Sequence, residues 1–337
     1  MKILMTSYAY APGIGGIETA SFLLASEWLR QGHCVTIVTE TPASGTEEQQ
    51  DQEKPRVIRQ PGWRTLLHWF QWADVIFQNN ISLRLARVII CTWKPVVITS
   101  QTWLDHGSRG GEFLKRMALR FARRVYISNA LANHARLPGE VIPNPYDDSV
   151  FKILPAIPRR PDLVFVGRLV SDKGIDLLLD ALARLRASDL RPCLTIVGCG
   201  PAEGDLRRQA QELGLSDQVA FVGMRRGVEL AELLNGHEIA IVPSRWAEPF
   251  GIVAVEAIAC GCVVVGSEAG GLPEAIGRCG ILFPNGDTLA LVGALQRVLT
   301  DQDLRKSVRD SAAAHLERFN LVTVAQRYLR ILEEATQ

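Results

Sequence analysis

The sequence predicts an α/β protein built from two Rossmann-like domains that face a cleft. Short apolar runs alternate with longer segments of helical periodicity, and the chain of 337 residues exceeds one typical domain. Two segments also share an opening of strand, glycine turn and helix, KILMTSYAYAPGIGGIETASFLL and DLVFVGRLVSDKGIDLLLDALARL. Continuous Val and Ile runs are typical of strands covered on both faces, and their alternation with helices favours parallel sheets.

The predicted strands form two series along the chain. The first series covers 2–6, 34–39, 75–77, 96–99, 125–127 and 141–143. The second covers 163–167, 194–198, 219–222, 239–243 and 263–266. Prolines at 155, 158 and 161 resist both helix and sheet, so we place a boundary there, with domains 1–155 and 156–337. The last helix of the chain is expected to pack back on the first domain.

Composition excludes several classes of protein. The chain is 47% hydrophobic and 22% charged, which excludes a disordered chain, and its formal net charge of +1 does not suit a nucleic-acid binder. Its seven cysteines include no C-x-x-C pair, so we predict small buried thiols in a reducing compartment and no zinc site. No apolar run is long enough to span a membrane, and the first run is too short for a signal-peptide core, which predicts a cytoplasmic protein.

The first glycine turn, Gly13-Ile-Gly15-Gly16, follows a strand and opens a helix. Helix-start amides and glycines would let an anion approach closely. The turn departs from the dinucleotide fingerprint because Glu18 stands where that pattern needs glycine or alanine. The alternative interpretation of this segment is a tight strand–helix turn that binds nothing.

The second glycine turn carries two cations, Arg168 and Lys173. Ligands of open α/β sheets bind outside the carboxyl ends of strands, and Arg168 follows such an end. The pair predicts an anion clamp near a helix start, with an ordinary exposed pair of loop cations as the alternative.

The segment 238–261 contains two notable glutamates. Glu256 is the only charge of a predicted helix that begins near Phe250 and is apolar almost all round. A buried carboxylate needs hydrogen-bond donors, and two adjacent ribose hydroxyls would serve, as would a backbone group or an internal arginine. Glu248 lies in the loop before that helix, beside the amides of 250–252, where a sugar diphosphate would fit. A simple helix-dipole role for Glu248 is the alternative.

These residues resemble the retaining glycosyltransferases of family 4, which have the GT-B fold of two lobes. The resemblance covers essentially the whole chain. The motifs that carry it are GGIE at 15–18, IPNPYD at 142–147, VGRLVSDKG at 166–174, IVGCGP at 196–201, EPFGIVAVEA at 248–257 and GGLPEAI at 270–276.

The resemblance implies an enzyme that moves a sugar from a nucleotide-diphosphate sugar to an acceptor hydroxyl, in glycan or glycolipid assembly. The first domain would bind the acceptor, and the second the donor. The implied roles are diphosphate binding by Arg168 and Lys173, sugar orientation by Glu248 and ribose binding by Glu256. The amides of Phe250, Gly251 and Ile252 would lie near the sugar and phosphate, and Gly15 and Gly16 would close over the diphosphate. No metal or other cofactor is expected, because the cations and amides neutralise the diphosphate.

One feature departs from the family pattern. A histidine often follows the fourth strand of the first lobe, near the transferred sugar, whereas this chain has Ser100 or Gln101 at the corresponding position. His106 is a candidate to supply that group from the following loop, and Asp105 is a candidate to activate the acceptor.

The segment RGGEFLKRMALRFARR, residues 109–124, is basic and amphipathic. It predicts either peripheral contact with an anionic membrane, which would suit a lipid-linked acceptor, or a helix whose apolar side packs on the sheet.

Two rival functions remain at this point. Glu40 follows the second predicted strand, as the ribose-binding acid of an NAD-dependent oxidoreductase would. A two-lobe nucleotide or saccharide binding protein without transferase activity would share the architecture.

Overall fold

The computed structural model describes residues 1–13, 15–43, 54–82, 93–104 and 109–337. These residues form two α/β units, each with one parallel sheet, which confirms the predicted fold class. The first unit comprises residues 1–146 and 319–337, and the second comprises residues 147–318.

The first sheet has the strand order β3-β2-β1-β4-β5-β6-β7. Its strands are β1 Lys2–Ser7, β2 Cys34–Thr39, β3 Arg56–Arg59, β4 Val75–Asn79, β5 Val96–Ser100, β6 Arg123–Tyr126 and β7 Glu140–Val141. The helices of this unit are α1 Gly16–Arg30, α2 Trp63–Trp72, α3 Arg109–Arg120, α4 Asn129–Ala135 and, at the end of the chain, α13 Leu321–Thr336. The strand order reverses between β1 and β4, which defines the topological switch point of this sheet.

The second sheet repeats the same topology, with the order β10-β9-β8-β11-β12-β13. Its strands are β8 Arg160–Val166, β9 Leu194–Val197, β10 Val219–Gly223, β11 His237–Val242, β12 Val263–Ser267 and β13 Gly280–Phe283. Its helices are α5 Ile175–Ala187, α6 Glu203–Glu212, α7 Gly227–Asn235, α8 Ile252–Ala259, α9 Leu272–Ile276, α10 Thr288–Thr300, α11 Gln302–Asp310 and α12 Ala312–Leu316. The switch point lies between β8 and β11.

The closing helix α13 belongs to the core of the first unit. The indole Nε1 of Trp28 donates to the carbonyl of Ala325 at 3.1 Å, and the rings of Trp28 and Phe77 meet edge to face at 5.2 Å. Tyr328 packs against Phe77 in the same way, at 5.3 Å. Helix α13 therefore packs in the core of the first unit, although the second unit separates it in sequence from the rest of the first.

The division between the units falls earlier than the predicted boundary at residue 155. Asn235 explains the difference, because its side chain binds the connecting segment twice. Its Oδ1 accepts from the amide of Leu154 at 2.8 Å, and its Nδ2 donates to the carbonyl of Lys152 at 2.9 Å. The proline-rich segment is thereby held on the second unit.

The prediction of buried cysteines is wrong for half of the described thiols. Cys260, Cys262 and Cys279 are buried, whereas Cys34, Cys193 and Cys199 are exposed. The exposed cysteines adjoin strand ends, where apolar runs meet loops and burial stops. Cys91 lies outside the described residues.

Candidate functional site

The carboxyl ends of β8 and β11 bring two of the predicted site residues into contact. Lys173 lies in the 3₁₀ turn Ser171–Lys173 after β8, and Glu248 lies in the loop after β11. The Lys173 Nζ is 2.6 Å from the Glu248 Oε1, and the two side chains are only 17% and 12% exposed. The hydroxyl of Ser244 donates to the same oxygen at 2.6 Å. We call Lys173, Ser244 and Glu248 the strand-end cluster.

The strand-end cluster depends on two close approaches of backbone. A Cβ on Gly174 would stand 2.0 Å from the carbonyl oxygen of Pro243, and one on Gly270 would stand 2.1 Å from that of Glu248. Both glycines have positive φ, of +68° and +65°. The amide of Gly271 also donates to the Glu248 carbonyl at 2.7 Å. The glycines of the KG and GGLPEAI motifs therefore fix the segments that carry the two charges.

Arg168 lies just after β8, with Gly167 between it and the strand, and is exposed. Within the described part of the chain its guanidinium has no hydrogen-bond or ion-pair partner, in contrast to Lys173. A free guanidinium at the carboxyl end of a switch-point strand is well placed to bind an anion, because five N–H donors are available there.

Glu256 lies on the apolar helix α8, and it is 8% exposed. Among the described residues its carboxyl has no hydrogen-bond or ion-pair partner. Burial, with a smaller contribution from the negative charge of Asp147, raises the pKa of this carboxyl from 4.5 to about 8. The helix begins at Ile252 rather than near Phe250, and Gly251 precedes it with a φ of +106°. The first amides of an α-helix have no intrahelical acceptor, so Gly251 and Ile252 lie where anions are favoured.

The loop after β10 borders an open cavity of about 480 Å³ in the second unit. Its lining includes Met224, Arg226, Val228 and Glu229. The thioether Sδ of Met224 lies 3.0 Å from the Arg226 Nη2, so these two side chains of the loop are in contact.

A chain of buried neutral side chains lies at the switch point of the first sheet. Asn79 donates to the hydroxyl of Ser21 at 2.6 Å, and Ser21 donates to that of Ser7 at 3.0 Å. Gln101 donates to Asn79 at 2.8 Å and exchanges two hydrogen bonds with Asn144, at 2.9 Å and 2.7 Å. These bonds occupy both ends of the Gln101 carboxamide, so Gln101 does not offer a free group in place of the histidine of the family pattern.

The glycine turn of the first unit is described except for residue 14. Gly15 precedes α1 and Gly16 is its first residue. A Cβ on Gly15 would stand 2.6 Å from a carboxylate oxygen of Glu18, so a negative charge lies beside this turn. His106 and Asp105 fall outside the described residues, and their candidate roles stay predictions.

Two further features concern metals and membranes. No group of three or more His, Cys, Asp or Glu side chains in the described ranges is arranged to hold a metal ion. Every helix within those ranges is too short or too polar to cross a membrane.

Two parallel α/β units of the same topology are the architecture of GT-B proteins. Residues 148–315 match the family model described as glycosyl transferases group 1. The match over this segment confirms the predicted relationship to glycosyltransferases.

Known relatives are similar to this chain over about half or most of its length. D-inositol 3-phosphate glycosyltransferase of Corynebacterium jeikeium is 36% identical over 188 residues, which are 53% of this chain and 45% of that protein. This chain thus spans less than half the length of that relative. Glycogen synthase of Mycobacterium tuberculosis is 27% identical, over 89% of this chain and 86% of its own.

Solved structures share the fold over the full length. Anabaena HepE, solved in complex with UDP and glucose, has a TM-score of 0.82 and 24% identity, with 99% of this chain and 100% of that chain covered. WaaG, a glycosyltransferase involved in lipopolysaccharide biosynthesis, has a TM-score of 0.72 and 18% identity, with coverage of 98% and 99%. At these identities the likeness concerns the fold.

Proposed function

We propose that this protein is a retaining, metal-independent glycosyltransferase that moves a sugar from a nucleotide-diphosphate sugar to an acceptor hydroxyl. The second unit would bind the donor, and the first would bind a glycan or lipid-linked acceptor. The observation that carries the proposal is the Lys173–Glu248 contact of 2.6 Å at the switch point of the second sheet, where Arg168 also lies. The match of residues 148–315 to the glycosyl transferases group 1 family model supports it.

In the proposed donor site, cationic side chains stabilise the charge that develops on the leaving group. Breaking the anomeric C–O bond leaves negative charge on the diphosphate and positive charge on the sugar. Arg168 and Lys173 would stabilise the diphosphate without a metal ion, because fixed positive charges aimed at a leaving group lower its barrier. Glu256 would accept hydrogen bonds from the ribose hydroxyls.

Glu248 would orient the transferred sugar through Oε2. Its Oε1 already accepts from Lys173 and Ser244, each at 2.6 Å. Two donors at one oxygen withdraw charge from the carboxylate, which makes it a weaker nucleophile. This favours retention by attack from the face of the departing diphosphate over a covalent glycosyl intermediate at Glu248.

The test is turnover of UDP-glucose, UDP-galactose and GDP-mannose by the purified chain in the presence of EDTA. We expect nucleoside diphosphate release from at least one donor, and NMR before mutarotation should find the donor's anomeric configuration in the released or transferred sugar. Arg184, an exposed residue of α5, provides the matched control for Arg168. Arg168→Ala should lose turnover, while Arg184→Ala should retain it. Turnover that requires added Mg²⁺ or Mn²⁺, or an inverted anomer, would contradict the metal-independent or the retaining part.

We further propose that α3 places the first unit on an anionic membrane surface. Three large apolar side chains on and just after this helix are exposed, Phe113 by 64%, Leu114 by 55% and Phe121 by 82%. Exposed aromatic side chains beside cations are typical of helices that lie in a lipid interface. Arg116 is partly committed within the unit, since it pairs with Glu112 at 2.9 Å. The proposal therefore depends more on insertion of these apolar side chains into the lipid than on electrostatic attraction to it.

Co-sedimentation with vesicles of rising phosphatidylserine content tests the membrane proposal. Phe121→Ser should weaken binding, because it removes an apolar group that would enter the lipid. Leu289, on α10 of the second unit, is 67% exposed and provides the control, so Leu289→Ser should bind as the wild type does. Absence of wild-type binding at every composition would exclude the membrane contact and leave a glycan acceptor free in solution.

A further inference from the structure

Arg245 is a third cation beside the strand-end cluster, and its guanidinium is committed to α5. Its Nη1 and Nη2 donate to the two carboxylate oxygens of Asp176, each at 2.5 Å. Nη1 also lies 3.3 Å from the carbonyl oxygen of Ser171. These contacts form a bidentate fork between the loop after β11 and the first turn of α5.

The backbone of the same residue joins further segments. The amides of Arg245 and Trp246 both donate to the carbonyl of Asp172, at 2.8 Å and 3.2 Å. The carbonyl of Arg245 accepts from the side chain of Asn285 at 2.9 Å. Asn285 lies in the loop after β13. One residue therefore connects the turn that carries Lys173, the loop that carries Glu248 and a third strand-end loop.

We propose that Arg245 is a positioning residue that sets the distance between Lys173 and Glu248 through its fork to Asp176. The proposal rests on the proposed function for its effect on turnover. Lys173 lies between the two segments that Arg245 binds, Ser171–Asp172 and Asp176, and Glu248 follows Arg245 in the same loop. Because one guanidinium holds both segments, it fixes the distance of 2.6 Å between Lys173 and Glu248.

A direct role of Arg245 in diphosphate binding is less consistent with these contacts. Both terminal nitrogens donate to a carboxylate that already neutralises the charge, whereas the guanidinium of Arg168 has no partner among the residues that the structure describes. Lysine would not replace Arg245, because an ammonium cannot make two parallel bonds to one carboxylate. A positive charge alone is therefore not sufficient at this position, because the planar geometry of the guanidinium is needed as well.

Hydrogen exchange measured by mass spectrometry tests the positioning role without any substrate. In Arg245→Lys and in Asp176→Asn, peptides that cover 244–252 should exchange faster by roughly threefold or more, because the amides bound to Asp172 open more often. Arg186 provides the control, since it pairs with Asp217 at 3.0 Å near the other end of α5. Arg186→Gln should leave this segment unchanged. Unchanged exchange in both tether variants would overturn the proposal.

A kinetic cycle then separates positioning from general stability. Arg245→Lys should lower kcat by roughly tenfold to 10²-fold, since small misplacements of reacting groups cost that much. The same substitution in a Lys173→Ala background should have little further effect, because residues that act as a unit are not additive. Equal losses in both backgrounds would assign Arg245 a merely structural role. If the wild type turns over no donor, the proposed function fails, and hydrogen exchange alone decides whether Arg245 holds the two segments.

Discussion

The burial of Glu256 should make this protein less stable as the pH rises. The pKa of its carboxyl is about 8 in the folded protein, against 4.5 for the exposed group. Between these values the folded state keeps a proton that the unfolded state has lost, so stability is fully present below pH 4.5 and falls as the pH rises through 8. At 1.36 kcal/mol for each unit, the loss by pH 8 is about 4 kcal/mol.

Glu256→Gln removes this ionisation and keeps the shape of the side chain. We expect the variant to be more stable than the wild type at pH 8 and close to it at pH 5, because glutamine stays neutral in both states. Urea unfolding of both proteins at pH 5, 6.5 and 8 measures the difference. Glu212→Gln, at an exposed position on α6, is the control and should follow the wild type. An equal fall in stability for wild type and Glu256→Gln between pH 5 and 8 would show that ionisation of Glu256 does not cause the pH dependence.

Nucleotide binding should oppose this effect, because two ribose hydroxyls would favour the ionised carboxyl. Titration of UDP or GDP near pH 7, in buffers of different ionisation enthalpy, should therefore detect proton release by the wild type. Glu256→Gln should release none and bind more weakly. Equal affinity for the bare nucleotide would remove Glu256 from the ribose site.

Two further predictions concern the strand-end cluster. Arg168→Ala and Lys173→Ala should each lower turnover roughly 10²-fold, as loss of a charge-stabilising donor does, and near-normal kcat in both would exclude the clamp. Gly174→Ala should lower both stability and kcat, because its Cβ would overlap the Pro243 carbonyl. Gly214 has the same φ of +68° with nothing within 4 Å, so Gly214→Ala should cost only about 1–2 kcal/mol of backbone strain in a denaturation assay and leave kcat unchanged. Equal kcat in the two glycine variants would exclude the close approach as a cause.

Much of the fold could be predicted because buried parallel strands leave continuous apolar runs. The two strands that sequence reasoning missed, β3 and β13, lie at sheet edges, where burial is incomplete and the signal is weak. The sequence of β3 is RVIR, whose apolar run is too short to distinguish it from a loop, and that of β13 is GILF. Their pairing became visible only with the neighbouring strands in place.

The residues of the candidate site could be predicted from the sequence, but the contacts between them could not. Lys173 and Glu248 are 75 positions apart, and their separate motifs suggested separate roles. Their contact depends on the close backbone approach at Gly174, which no local pattern contains. Arg245 was not identified, because a loop arginine has no signal that distinguishes a fork to Asp176 from free solvation.

We propose above all that the switch point of the second sheet binds a nucleoside diphosphate. Thermal unfolding of the intact chain with UDP, GDP, NAD or free glucose tests it most directly, because a ligand that binds only the folded state raises Tm. We expect a higher Tm with UDP or GDP, and loss of that shift in Lys173→Ala but not in Arg184→Ala. Protection by NAD alone, by glucose alone or by none of these ligands would contradict it.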